Sequence, residues 1–255
     1  MVETQPTAEE LPSLRAQLYD QYLSTFKGDP RKTVNVKKFH AWCDFRIKPW
    51  LTNLSVEQPR FLDLGCGPGY ILGYLKHLGF QHASGIDLSD EQVEIGRSLG
   101  HDCFVADAFE YLGANVCSFD VIIAFDFVEH FTKEELPDLL KAIHRSLRPG
   151  GRLLLQTPNG SGLFTGHIVY GDLSHSTIFT PGSLQQILSL CGYGDFHWNE
   201  TGPVPLTFIG VLRTIAWQLV RHVANGLNKI ATGRSQRLWT DNMLCWAVKK
   251  DGVEF

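Results

Sequence analysis

The stretch "FLDLGCGPGY", Phe61 to Tyr70, places Gly65, Gly67 and Gly69 at alternate positions directly after an apolar run that contains Asp63. A short apolar run closed by glycines reads as a buried strand entering a tight turn. Glycine admits backbone conformations closed to other residues and lets a ligand lie against the main chain. A helix starting after the turn adds unpaired N–H groups. The turn is therefore built to hold a small molecule. A dinucleotide fingerprint, G-x-G-x-x-G, would need a third glycine where Tyr70 stands. The pattern is instead D-x-G-x-G-x-G, and a carboxylate at the strand end suits a cationic ligand group and repels a pyrophosphate.

Downstream of the turn, strands and helices alternate. Strands are expected over 60–64, 82–87, 101–107, 119–125 and 152–157, with helices over 70–78, after a Ser89 cap, and through Leu136, Leu139, Leu140, Ile143 and Leu147. Pro137 lacks an N–H, which predicts that this last helix restarts at the proline after "TKEE". Repeated βαβ units imply an α/β fold with a doubly wound parallel sheet whose ligand lies at the carboxyl ends of the strands. Beyond residue 158 come a Gly, Ser and His loop, a helix capped by Thr180 with Pro181 at its first position, a strand over 194–200, a helical insert at about 200–240 and a last strand over 242–250.

Upstream, residues 1–58 read as helical. Thr7 and Glu10 form a capping box before Leu11, Leu14, Leu18 and Tyr22, and Val36, Phe39, Cys43, Ile47 and Trp50 share a stripe over 36–51. The domain organisation expected is an N-terminal helical lid, 1–58, on a core of 59–255 that carries the insert. Tyr19 and Tyr22 are candidates to close over the ligand.

Composition excludes several classes. With 44% hydrophobic and 20% charged residues the chain is globular in character. A net charge of −4 gives no general attraction to nucleic acid, and the densest basic run, Arg31 to Lys38, reads as a solvated helix start. The six cysteines form no C-x-x-C pair and have no histidines at zinc spacing, so free buried thiols, a cytoplasmic setting and no metal are expected. The first residues are acidic and polar, unlike a secretory signal, and no run is long and apolar enough to span a bilayer.

With Asp63, Gly65, Gly67 and Gly69 as its first motif and "LRPGGRLLLQTPN" as a later passage, residues 60–200 resemble the class I S-adenosylmethionine-dependent methyltransferases. The ammonium and sulfonium of that cofactor match the carboxylate of Asp63. The resemblance implies a Rossmann-like, seven-stranded, mostly parallel sheet with an antiparallel last strand. Asp87, 22 residues after Gly65, would hold the ribose hydroxyls, with Leu88 beside it. Asp107 would take the adenine amino group with Ala108 supplying a backbone N–H, Cys66 lies in the turn, and Phe125 in "IIAFDFVEHF" would wall the cofactor.

Methyl transfer is a direct displacement, so alignment of the acceptor supplies much of the acceleration, and an alcohol acceptor gains further from a base. His130 follows the fourth strand. His175, in "GDLSHSTIFTPGSL", matches a segment of the small-molecule branch of the family, which includes ubiquinone-type and polysaccharide-cluster enzymes. These are the two candidate catalytic residues; His167 lies in the same loop. The function expected is O-methylation of a hydroxyl on a small or saccharide metabolite. N-methylation of a small amine and a non-catalytic cofactor-binding module stand as alternatives. The "NPPY"-like element of base-methylating enzymes is absent, so no nucleic-acid substrate is expected. The insert carries Leu212, Ile215, Leu219 and Val223 on one face beside Arg213 and Arg221, which reads as a peripheral membrane contact through 206–224, a lid or a dimer contact. Trp217, Trp239 and Trp246 fit a core role equally well.

Overall fold

The computed structural model describes residues 35–253 apart from 53 and 55. The Thr7–Glu10 capping box, the stripe from Leu11 to Tyr22, Tyr19 and the start of the basic run at Arg31 lie outside the described residues.

Two helices, α1 (Val36–Arg46) and α2 (Lys48–Leu51), precede strand β1 (Arg60–Leu64). Then follow α3 (Tyr70–His77), β2 (His82–Asp87), α4 (Asp90–Ser98), β3 (Cys103–Val105), α5 (Ala108–Ala114) and β4 (Phe119–Phe125). A 3₁₀ turn (Val128–His130) leads to α6 (Leu136–Ser146), β5 (Leu147–Pro158), α7 (Gly166–Val169), α8 (Pro181–Leu190), β6 (Tyr193–Glu200), α9 (Phe208–Thr232) and β7 (Asn242–Lys249). The seven strands lie in the order β3-β2-β1-β4-β5-β7-β6. Pairings among β1 to β5 are parallel, and β7 runs antiparallel to both β5 and β6. This is the doubly wound sheet with an antiparallel last strand that the βαβ rhythm and the resemblance together imply. The strand order reverses between β1 and β4, where Leu64 pairs with Ala124, so the crevice for a ligand opens beside the glycine turn.

Alternation along the strands divides the core between the two faces. Leu62, Leu64, Ile122, Ala124, Leu153, Leu155, Met243 and Cys245 face the side covered by α5, α6 and α8. Phe61, Val121, Ile123, Leu154, Leu244 and Trp246 face α1, α2 and α3. Leu139, Leu140 and Ile143 of α6 are fully buried against the first face, and burial of side chains this size contributes about 1.5–3 kcal/mol each.

Some local expectations shift. The helix over 36–51 breaks at Ile47, because Pro49 cannot supply an N–H to a continuing helix and instead sits in the first turn of α2. Val36 is exposed, so the buried stripe runs from Phe39 through Cys43 and Ile47. Pro137 takes the second position of α6 rather than the first, after a turn in which Thr132 and Glu135 exchange hydrogen bonds from backbone N–H to side-chain oxygen. The third strand is shorter than expected, and the 200–240 insert is dominated by α9, a single helix of 25 residues capped by Thr207 and Gly233. From α1, Trp42 Nε1 donates to the Thr201 carbonyl, and Arg46 donates to the Gly202 and Pro203 carbonyls and to Asn199 Oδ1. Trp239 and Trp246 are core residues, whereas Trp217 is half-buried and donates through Nε1 to Glu200.

Candidate active site

All three glycines of the opening turn take positive φ: +67° at Gly65, +51° at Gly67 and +80° at Gly69. A Cβ on Gly65 would lie 2.8 Å from the ring of Phe127 and one on Gly69 would lie 2.8 Å from the ring of His101, so both conformation and space demand glycine. The turn is tied to β2. Cys66 N donates to the Ile86 carbonyl, and Gly67 N donates to Asp87 Oδ2 at 2.9 Å. Ser89 N holds the other oxygen of Asp87, also at 2.9 Å. Two backbone N–H groups thus fix the Asp87 carboxylate at the tip of β2, beside the turn.

Asp63 is 3% exposed. Burial pushes its carboxyl well above the usual carboxylate range, and neighbouring Cys103 and Asp87 push it further. Among the described residues no cation stands at ion-pair distance from it, so the arrangement favours a bound positive group. Asp107 caps α5, where its Oδ1 accepts from Phe109 N at 2.8 Å and Glu110 N at 3.2 Å; both cap bonds fall on the one oxygen. Ala108, the first residue of α5, is buried, while Leu88 is half exposed. The Cys66 thiol is buried and donates to the Gly67 carbonyl; its hydrogen bond with Cys103 and its burial push its pKa up, so it stays a thiol. Phe125 ends β4 with its ring edge-on to Trp42. Five of the six cysteines are buried and all are free.

A second cluster stands at the ends of β4 and β5. Just past Phe125, Asp126 adopts a φ of +49°, unusual for a non-glycine residue, and both its carboxylate oxygens accept from Gln156 Nε2, at 3.0 and 3.1 Å. The chain then turns through Val128–His130. Glu129 is fully buried; Oε2 accepts from Thr157 Oγ1 at 3.1 Å, and Oε1 has no hydrogen-bond partner. Burial, then Asp126, push the Glu129 carboxyl well above its ordinary range. The Glu129 carbonyl accepts from Ser176 N and Thr177 N, which pins the loop carrying His175 onto the turn.

His130 and His175 bring their rings to 5.1 Å. Ser174 Oγ donates to Asp172 and lies 2.9 Å from His130 Nδ1. A hydroxyl has one proton, and with it committed to Asp172 the Ser174 oxygen is left to accept from His130 Nδ1. Asp172 and Ser174 thus orient the His130 ring. The His175 Nδ1 is buried without a hydrogen-bond partner. One donor atom from each of Glu129, His130 and His175 lies within 4.8 Å of the others, a spacing that could hold a metal ion. The sequence expectation is that no metal is bound; these three donors come together only on folding. His167 is not part of this cluster; it is exposed and faces Asp241 at 3.7 Å.

Sequence reasoning placed His130 and His175 but passed over Glu129, Thr157, Asp172 and Ser174. The adjacent signal was "VEH", two residues beyond a buried strand, where a carboxylate beside a histidine departs from the apolar pattern.

Comparison with known proteins agrees with this geometry. A methyltransferase-domain family profile matches residues 35–195. Ubiquinone biosynthesis O-methyltransferase of Xanthomonas oryzae pv. oryzae is 33% identical over 132 residues, covering 48% of this chain and 53% of the relative. The Xanthomonas euvesicatoria protein of the same name is 30% identical over the same length. The chain spans about half the length of these curated relatives. Among solved structures, an S-adenosylmethionine-dependent methyltransferase from Archaeoglobus fulgidus superposes with a TM-score of 0.63 at 20% identity, covering 92% of this chain and 99% of that one. Haemonchus contortus phosphoethanolamine N-methyltransferase 2, in complex with S-adenosylmethionine, gives 0.58 at 20% identity, covering 96% and 62%. The sheet order, the glycine turn gripped by Asp87 and the family match over more than half its length lead to one conclusion: this chain belongs to the class I S-adenosylmethionine-dependent methyltransferases, and its cofactor is S-adenosylmethionine.

Proposed function

We propose that the protein is an O-methyltransferase acting on a hydroxyl of a small or saccharide metabolite. The observation that carries this reading is the Glu129–His130–His175 cluster beyond the ends of β4 and β5, in which Glu129 and His130 are buried and Glu129 Oε1 and His175 Nδ1 have no hydrogen-bond partner. The ubiquinone-pathway names of the relatives support oxygen as the acceptor atom.

In this reading the positive-φ glycines admit the cofactor against the main chain, and Asp63 accepts from its ammonium. Asp87, pre-set by Gly67 N and Ser89 N, takes the ribose hydroxyls, with Cys66 and Leu88 beside it. Asp107 turns its second oxygen to the adenine amino group, Ala108 offers its N–H, and Phe125 forms a wall. The cofactor supplies an electrophilic methyl group on a sulfonium. His130 Nε2 accepts the proton of the acceptor hydroxyl while the new carbon–oxygen bond forms and the carbon–sulfur bond breaks. His175 and Glu129 orient that hydroxyl, and exclusion of water around the buried Glu129 strengthens each of these contacts.

A broad acceptor panel, assayed by release of S-adenosylhomocysteine, tests this. Alcohols and phenols should turn over, and Glu129→Gln and His175→Ala should lower kcat by about a hundredfold or more with cofactor Kd unchanged. Turnover of amines alone would overturn oxygen methylation, and cofactor binding without turnover of any acceptor would support a binding module.

The unpartnered atoms favour a second reading of the same cluster. A divalent cation held by Glu129, His130 and His175 would lower the pKa of the bound acceptor hydroxyl directly. Loss of turnover in chelator, its return with added magnesium or manganese and an unchanged cofactor Kd would support that arrangement; indifference to chelator would remove it.

A further inference from the structure

Helix α9 is amphipathic in the inverted sense. Its half-buried positions, Gly210, Thr214, Trp217, Arg221, Ala224, Asn225 and Asn228, follow a helical period and, apart from Trp217, are small or polar. That face is tied down by hydrogen bonds. Trp217 Nε1 and Arg221 Nη1 both reach the buried Glu200 Oε2, Arg221 Nη2 donates to the Arg237 carbonyl, Asn225 Oδ1 accepts from Gln236 N, and Asn228 Nδ2 donates to the Arg234 carbonyl. The opposite ridge, Phe208, Leu212, Ile215, Leu219, Val223 and Ile230, lies outward with exposures from 50% to 86%, and no residue of the helix is buried. Core-packed helices turn these faces the other way, and an apolar ridge this long on a surface marks a docking site.

Charge identifies the occupant. From residue 201 to 240 the chain holds Arg213, Arg221, Lys229, Arg234 and Arg237 and no carboxylate, although the whole protein carries −4. Wheel positions put Arg213 on one flank of the ridge and His222 and Lys229 on the other. A second copy would bring the same cations to the same ridge and be repelled, whereas an anionic surface would be attracted. Among the described residues no helix is long and apolar enough to cross a membrane, so the helix would lie along a surface rather than span it.

We propose that α9 docks this protein on an anionic lipid bilayer, with the ridge from Phe208 to Ile230 buried among the acyl chains and the flanking cations at the phosphates. The insert leaves the sheet at Glu200 and returns at Asn242, which pairs with Pro158 at the end of β5. The inference does not depend on which acceptor the enzyme methylates.

Vesicle flotation of the full chain tests it, with phosphatidylcholine alone and phosphatidylcholine mixed with phosphatidylglycerol. Wild-type protein should float with the anionic vesicles and remain at the bottom with the neutral ones. Leu219→Glu should lower partitioning by at least about tenfold, and Lys229→Gln by about fivefold, the effect of one cation near such a surface. Both positions are outside the site, so the thermal shift with S-adenosylmethionine should stay as in wild type and report an intact fold. Failure of the wild-type protein to float, or flotation that ignores both lipid charge and Leu219→Glu, overturns the proposal. A wild-type dimer in sedimentation velocity that Leu219→Glu splits, without flotation, would assign the ridge to a second copy.

Discussion

Asp63, the residue proposed to hold the cofactor's cationic group, lowers the stability of the empty fold. It lies in β1 with apolar neighbours on either side in sequence, and burial holds its carboxyl above the ordinary range. The folded protein therefore binds the Asp63 proton more tightly than the unfolded chain, whose carboxyl titrates near pH 3.9. As pH rises above that value the unfolded chain loses its proton first, and stability falls until the folded-state pKa is passed. Asp63→Asn should remove this loss. Its melting temperature should exceed that of wild type by a margin that widens from pH 4 toward neutrality, measured without ligand. The same substitution removes the partner for a cationic group, so the Kd for S-adenosylmethionine should rise about tenfold or more, on the scale of one charge-assisted hydrogen bond. A variant less stable than wild type at neutral pH would refute this account of the carboxylate.

At the scale of elements, the join between α1 and the segment after β6 has no signature in either sequence stretch. Arg46 is partly buried, and burial pushes its pKa down against the pull of Glu200. Its guanidinium serves three acceptors, the Gly202 and Pro203 carbonyls and Asn199 Oδ1, all more than 150 residues away. Arg46→Ala would leave those oxygens without their donor and should cost about 2 kcal/mol, read as a lower urea midpoint at unchanged slope. Arg46→Lys cannot reproduce a planar fork serving three acceptors and should recover less than half of that loss. The acceptor cluster is assembled in the same non-local way, from a 3₁₀ turn after β4, Thr157 at the end of β5 and a loop pinned to the Glu129 carbonyl.

For the whole molecule, the sheet brings the tips of β1, β2 and β4 to one rim, so a ligand bound there joins elements distant in sequence. S-adenosylmethionine at a hundred times its Kd should stabilise the fold by about 2.7 kcal/mol, seen as a rise in melting temperature, and NAD should give none. A shift with NAD and none with S-adenosylmethionine would contradict both the carboxylate of Asp63 and Tyr70 as readings of the turn. The alternation of strands and helices, the turn and its attendant carboxylates were legible in "FLDLGCGPGY" and the βαβ rhythm after it, because backbone conformation, side-chain period and capping are local properties of a few neighbouring residues. The break before Pro49 is a departure from the single stripe expected over 36–51, although its cause, a missing N–H, is local. The sequence by itself thus determined the layered α/β fold and the methyl donor. Only the tertiary structure decided that Glu129 joins His130 and His175, that Ser174 and Asp172 meet His130, and that α9 turns its apolar ridge to solvent. These depend on which distant groups meet and which face is buried, and the pattern of one segment holds no record of either.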